Sequence, residues 1–182
     1  MNDRLPQVNM GFNQRLKHHL HGFTWAWYLV SLGSLGLSLL LSNLPYRFNG
    51  LTIIGIVIYL IGVTEFAIIS GVIICRFSIY PKSLLLSVKK DSEALFVATC
   101  LLGAASIICG AHIYGHPAEG SRLGECLKVM FWIYSALAFS FAVYMHLLIF
   151  SKHTLLVPSM TPAWMLPMFP VILSGTVGGI VA

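Results

Sequence analysis

The chain has 182 residues, 57% of them apolar and 9% charged, with a mean hydropathy of +0.83. A soluble domain carries roughly 25% charged residues, so the composition excludes one and identifies an all-α integral membrane protein. The net charge of +5 sits in loops, with no basic run interleaved with base-stacking aromatics, which excludes nucleic acid as a partner.

Residues 1–22 read as a cytoplasmic basic tail, with Arg4, Arg15 and Lys17 near His18, His19 and His21. The basic residues are suited to anionic head groups, and the histidines read as a solvated juxtamembrane cluster. Residues 23–182 read as a transmembrane domain with spans at about 23–42, 51–75, 94–114, 127–150 and 161–182, each near the roughly 20 apolar residues a bilayer crossing needs. A cleaved signal peptide does not fit the first run: it begins only at Phe23, is too long for an h-region and has no small-residue cleavage site. Arg4, Arg15, Lys17, Arg76, Lys82, Lys89, Lys90 and Lys152 fall on one side, against Arg47, Arg122 and Lys128 on the other. That excess places the N-terminus in the cytoplasm and Ala182 at the outer face.

Thr24-Trp25-Ala26-Trp27 at the entry of the first span returns as Thr161-Pro162-Ala163-Trp164 at the entry of the fifth. A helix pair brings the chain back to the same side, so the repeat is parallel and the odd-numbered helices are equivalent. Half the interval, added to Thr24, lands near Ser92, where the third span begins. Each odd span carries one narrow face of small or polar residues: Ser31, Ser34, Ser38 and Ser42; Thr99, Gly103, Ser106 and Gly110; Ala163, Pro167, Pro170, Ser174 and Gly178. Two readings compete. Ser106-x-x-x-Gly110 and Gly175-x-x-x-Gly179 match the small-xxx-small pattern of tight helix packing. Alternatively, three such faces converge on a polar path without acidic rings, which suits a small anion.

The last span holds three prolines. In an α-helix, Pro167 and Pro170 free the carbonyls of Ala163 and Leu166, so something other than lipid must face them. Free carbonyls repel anions, so these prolines are expected to shape the path and not to bind its solute. Glu65 is the one acid well inside a span, and it has two readings: a proton-coupling group, or a neutral carboxyl bonded to a neighbouring helix. Lys128 can snorkel outward, and His146 reads as a satisfied buried histidine. The fourth span, with Phe131, Trp132, Tyr134, Phe139, Phe141, Tyr144 and Phe150, is assigned with the second to an outer, lipid-facing layer. Cys75, Cys100, Cys109 and Cys126 lack C-x-x-C or histidine partners at ligand spacing, so they read as buried small residues, with no metal site and no cofactor. No Asn-x-Ser/Thr sequon occurs. With no nucleophile-base pair, metal constellation or phosphate loop, the chain does not read as an enzyme and no catalytic residue is assigned.

Several blocks now stand in order: Gln14-Arg15-Leu16-Lys17-His18, Phe23-Thr24-Trp25-Ala26-Trp27, Tyr46-Arg47-Phe48-Asn49-Gly50-Leu51, Arg76-Phe77-x-x-Tyr80-Pro81, Leu95-Phe96-Val97-Ala98-Thr99-Cys100-Leu101-Leu102 and Pro162-Ala163-Trp164-x-Leu166-Pro167-x-Phe169-Pro170. Over essentially its whole length the chain resembles the fungal malic acid transport proteins, or C4-dicarboxylate permeases. Their wider family includes bacterial tellurite-resistance proteins and plant guard-cell slow anion channels. The resemblance implies ten helices in five pairs about a pseudo-fivefold axis, odd helices lining an anion pore, even helices outside, and a homotrimer in the plasma membrane. By position it assigns Ser31, Ser34, Thr99, Pro167, Pro170 and Ser174 to the pore face; the family's pore-gating Phe on the ninth helix has no counterpart here. The chain departs from the family in the insertion His19-Leu20-His21-Gly22, in Leu35-Gly36 where the permeases have a Gly-Gly pair, and in having five spans of the expected ten, half of the fold. The expected function is transport of malate and related C4-dicarboxylates past Ser31, Ser34, Ser38, Thr99, Gly103, Ser106, Pro167, Pro170 and Ser174. Sulfite efflux by the same fold, and a truncated, non-conducting membrane scaffold or regulator, are the alternatives.

Overall fold

A computed structural model of the chain describes residues 24–46, 48, 50–79, 91–117, 121–152 and 162–181. The basic tail with His18, His19 and His21, the motif Gln14 to His18, Phe23, Arg47, Asn49, Tyr80-Pro81, the loop lysines Lys82, Lys89 and Lys90, and Thr161 lie outside the described residues.

Among the described residues every regular element is helical. A 3-10 turn at Trp25–Trp27 leads into α1 (Tyr28–Ser42), and α2 (Leu51–Ile79), α3 (Asp91–Gly115) and α4 (Arg122–Lys152) follow. A second 3-10 segment, Pro162–Met168, continues as α5 (Phe169–Val181). The helical stretches in the first four are long and apolar enough to cross a membrane, while the apolar run of the fifth, Met165–Val181, is shorter. Its winding makes up the difference. Seven residues at ~2.0 Å rise and thirteen at ~1.5 Å reach roughly 34 Å, against a hydrocarbon core of about 30 Å.

The helix ends follow from local chemistry. After α1 the Asn43 and Leu44 N–H groups donate to the Leu40 and Leu41 carbonyls, and Pro45 prevents continuation. Gly50, at φ +109°, takes the left-handed turn into α2. α3 stops where His116 adopts φ 40° and its N–H caps the His112 carbonyl at 3.2 Å, with Pro117 next. Ser121 opens α4 as an N-cap, its hydroxyl accepting the Gly124 N–H at 3.2 Å.

The helices form two layers. α1, α3 and α5 make one row, with α3 in the middle touching both neighbours. α2 lies against α1 and α3, and α4 against α3 and α5, on the other side of that row. The odd helices run parallel: Thr99 near the start of α3 reaches the Trp25 carbonyl before α1, and Asn43, Ile113 and Ile180 meet at the opposite end. This is the arrangement the parallel repeat requires. Two apolar clusters hold it, one of Tyr28, Ile69 and Ile73 between α1 and α2, the other of Ala105, Ile108, Cys109, Leu127, Tyr134, Ala138, Val177 and Val181 among α3, α4 and α5.

The aromatic face expected to point outward on α4 divides. Trp132, Phe139, Tyr144 and Phe150 are exposed, whereas Tyr134 is buried and Phe131 packs on Gly178. A 31-residue helix seated in a groove necessarily turns one stripe inward, and that stripe here includes an aromatic with a hydroxyl to satisfy. Of the two small-xxx-small patterns, Gly110 of the first receives the Tyr59 ring, while a Cβ on Gly175 or Gly179 of the second would meet nothing within 4 Å. Lys128 points outward as expected, its Nζ 3.8 Å from Glu125 Oε1. The Nδ1 of His146 lies 2.8 Å from the Ala142 carbonyl. A carbonyl can only accept, so that nitrogen carries the proton.

Candidate functional site

The serine face of α1 is turned toward α2. Ser31 Oγ donates to the Gly62 carbonyl at 2.8 Å, and Ser34 Oγ to Glu65 Oε2 at 2.8 Å. Ser38 Oγ lies 3.0 Å from both the Gly55 carbonyl and the Tyr114 hydroxyl, which itself donates to the Ser38 carbonyl at 2.7 Å. Ser31 and Ser38 are completely buried in this seam. Hydroxyls at these places remove the need for water: each finds a protein acceptor inside a medium that offers none.

Glycines of α2 and α3 make the close approach possible. Gly62 receives the Leu35 side chain, Gly55 lies under the Tyr114 hydroxyl, and Gly103 lies under Phe66. Leu35, the residue standing where the permeases have glycine, is thus accommodated by a glycine on the facing helix. Tyr59, above Gly110, donates to the Ile107 carbonyl at 2.9 Å. Thr99 Oγ1 bonds back to the Phe96 carbonyl at 2.6 Å and reaches the Trp25 carbonyl at 3.3 Å.

On the last helix Pro167 and Pro170 are fully buried. Winding as a 3-10 helix changes which carbonyl Pro167 deprives of a donor, from Ala163 to Trp164, because each bond now spans three residues. Pro170 lies in the first turn of α5, directly after the 3-10 segment, so its missing N–H leaves a carbonyl of that segment without a helical donor. The Pro170 carbonyl accepts the Tyr134 hydroxyl at 2.8 Å, so α4 and not lipid meets this wall. Ser174 Oγ turns back to the Val171 carbonyl at 2.7 Å.

The three odd helices border a cavity of about 120 Å³, lined by Leu39 and Asn43 of α1 and its end, Ala105, Ser106, Cys109 and Ile113 of α3, and Leu173, Thr176 and Ile180 of α5. Among the described residues no carboxylate, lysine, arginine or histidine lines it. Of the sequence-assigned path residues, Ser106 reaches this cavity, while Ser31, Ser34 and Ser38 face α2, Gly103 seats Phe66, and Thr99 joins α3 to the turn before α1. The cavity wall also includes Asn43, Cys109 and Thr176, which the sequence reading does not assign to the path. Their signal was the spacing 39/43, 105/109/113 and 173/176/180, three faces of helical period that carry too few polar residues to stand out.

Comparison with known proteins completes the picture. Residues 22–182 match the family described as SLAC1, voltage-dependent anion channel. The chain is 33% identical over 180 residues to the malic acid transport protein of Schizosaccharomyces pombe, covering 99% of this chain and 40% of that protein. It is 26% identical over 163 residues to the sulfite efflux pumps SSU1 of Trichophyton rubrum and Arthroderma benhamiae, covering 90% of this chain and 44% of each. The chain thus spans less than half the length of these relatives. No solved structure gives a significant match. By the match across nearly all of its transmembrane helices, the chain belongs to the SLAC1 family of anion channels.

Proposed function

We infer that the protein moves small organic anions, malate and related C4-dicarboxylates, across the plasma membrane, along a path between its odd-numbered helices. The observation that carries this reading is the cavity between α1, α3 and α5, which has no charged side chain among the described residues that line it. Cation paths use acidic rings; a neutral wall with the polar side chains of Ser106, Thr176 and Asn43 leaves an anion free to pass. Pro167 and Pro170 shape the α5 wall of that path, Thr99 and Ser38 tie α3 to α1 and the turn before it, and Ser31, Ser34 and Gly103 fasten this row to α2. In this reading the subunits form a homotrimer with the N-terminus cytoplasmic, and the even helices face lipid.

The complete reading frame, expressed in yeast lacking its malate permease, is expected to restore uptake of labelled malate. Sulfite efflux without malate uptake would move the protein to the branch of the sulfite pumps, which its 26% identity to them makes the second reading.

A further inference from the structure

Glu65 stands at the midpoint of the 29-residue α2, roughly 21 Å from either end of the helix. An ionised carboxylate at that depth costs several kcal/mol unless it is compensated. Its partner is unusual among the seam's hydroxyls. Ser31 donates to a backbone carbonyl, which can only accept. Ser34 Oγ instead lies 2.8 Å from Glu65 Oε2 and 3.4 Å from the Val30 carbonyl, two acceptors for a hydroxyl with one hydrogen.

That geometry satisfies two protonation states with one set of heavy-atom positions. When the carboxylate is ionised, the Ser34 hydrogen points to Oε2. When it is protonated, Oε2–H donates to Ser34 Oγ, and the Ser34 hydrogen swings to the Val30 carbonyl. We propose that Glu65 and Ser34 form a proton-binding site at the bilayer midplane, in which the Ser34 hydroxyl reverses its hydrogen bond as Glu65 gains or loses a proton. Loading forms one O–H bond on Oε2 with a proton that comes from the bulk water on one side of the membrane and neutralises the carboxylate; release breaks that bond and returns the proton to bulk water.

Among the described side chains, the helices around the site place no charge beside it. The titratable group of α1 is Tyr28, whose hydroxyl is 2.9 Å from Ser70 Oγ. On its described face α3 carries Cys100, Cys109, His112 and Tyr114, the last bonded to Ser38. On α2 itself Tyr59 is bonded to the Ile107 carbonyl, Cys75 is exposed, and Arg76 is about three turns away. Among the described residues no lysine or arginine pairs with Glu65. Resting on the transport reading, the site gives the anion a co-ion: each proton loaded at the midplane offsets one negative charge of a dicarboxylate crossing with it.

The test uses the complete protein, purified and reconstituted in lipid vesicles. Infrared spectra taken across a pH titration are expected to show a carboxylic acid C=O band that comes and goes with pH, that Glu65→Gln removes and that Ser34→Ala shifts in frequency. In the same vesicles, the ratio of labelled malate uptake with and without an inward proton gradient is expected to exceed one for the wild type and to fall to one for Glu65→Gln. A band that survives Glu65→Gln, or that Ser34→Ala leaves in place, overturns the site. A ratio that Glu65→Gln leaves at the wild-type value overturns the coupling. If the wild type moves no malate, the transport reading fails, and the infrared arm alone decides the site; Ser34→Ala retains the carboxyl and decides it where Glu65→Gln does not fold.

Discussion

At the scale of single residues, the molecule is organised by small residues placed opposite large ones. Gly55 faces Tyr114, Gly62 faces Leu35, Gly103 faces Phe66, Gly110 faces Tyr59 and Gly178 faces Phe131. In a bilayer no water is expelled when helices meet, so this interlocking and a few hydrogen bonds must carry the association. Gly110→Val drives a branched side chain into the Tyr59 ring and is expected to destabilise the fold by about 1–3 kcal/mol, read as a lower thermal midpoint in detergent micelles. Gly33→Ala is the matched control. A Cβ there meets nothing within 4 Å, and the gain in helix propensity raises stability by up to about 1 kcal/mol. The small faces of the odd spans were legible in sequence, but which partner each glycine takes was not, because a helical face names a direction and not the side chain that fills it.

At the scale of elements, the fifth helix shows how proline is used where water is absent. Pro167 and Pro170 lie three residues apart, and the chain relieves the first by tightening seven residues into a 3-10 helix. That lengthens the element enough to span and delivers the Pro170 carbonyl to Tyr134. Pro167→Ala restores a donor N–H and permits α winding, which shortens the segment by up to roughly 3 Å. It is expected to lower labelled malate uptake per molecule while leaving the amount of protein in the membrane unchanged. Uptake at the wild-type level would show that the segment's pitch does not matter to transport. That the prolines break the α pattern was readable from sequence; that the break becomes a continuous 3-10 segment was not, since Pro162, Pro167 and Pro170 are equally compatible with a kink.

At the scale of the whole molecule, the parallel row α1, α3, α5 sets the field along the proposed path. Parallel helices add their dipoles, so the side where their N-termini gather is the more positive one, and the side of Asn43, Ile113 and Ile180 the more negative. On the proposed path, that field favours entry of an anion at the end to which the sequence assigns the basic loops, and the cavity lies toward the opposite end. Thr176→Cys places a thiol in the cavity wall. Modification by a negatively charged methanethiosulfonate is expected to reduce malate flux, with excess malate slowing the reaction. The same treatment of Ile53→Cys, on the exposed face of α2, is expected to leave flux unchanged. Equal effects at both positions would remove the cavity from the path.

Composition and the length of its apolar runs were enough to make this chain a membrane protein, because a bilayer demands those quantities of any chain that crosses it. The Thr24 and Thr161 repeats likewise made the odd helices parallel and equivalent, since a helix pair must return to its starting side. Rotation of each helix about its own axis was left to tertiary packing. Ser31, Ser34 and Ser38 share a stripe in sequence, yet their hydroxyls meet Gly62, Glu65 and Gly55 on α2 and Tyr114 on α3, while Thr176 and Asn43 join Ser106 at the cavity. Periodicity tells which residues share a face, and only the matching of glycine to aromatic and of hydroxyl to carbonyl between helices decides where that face is aimed.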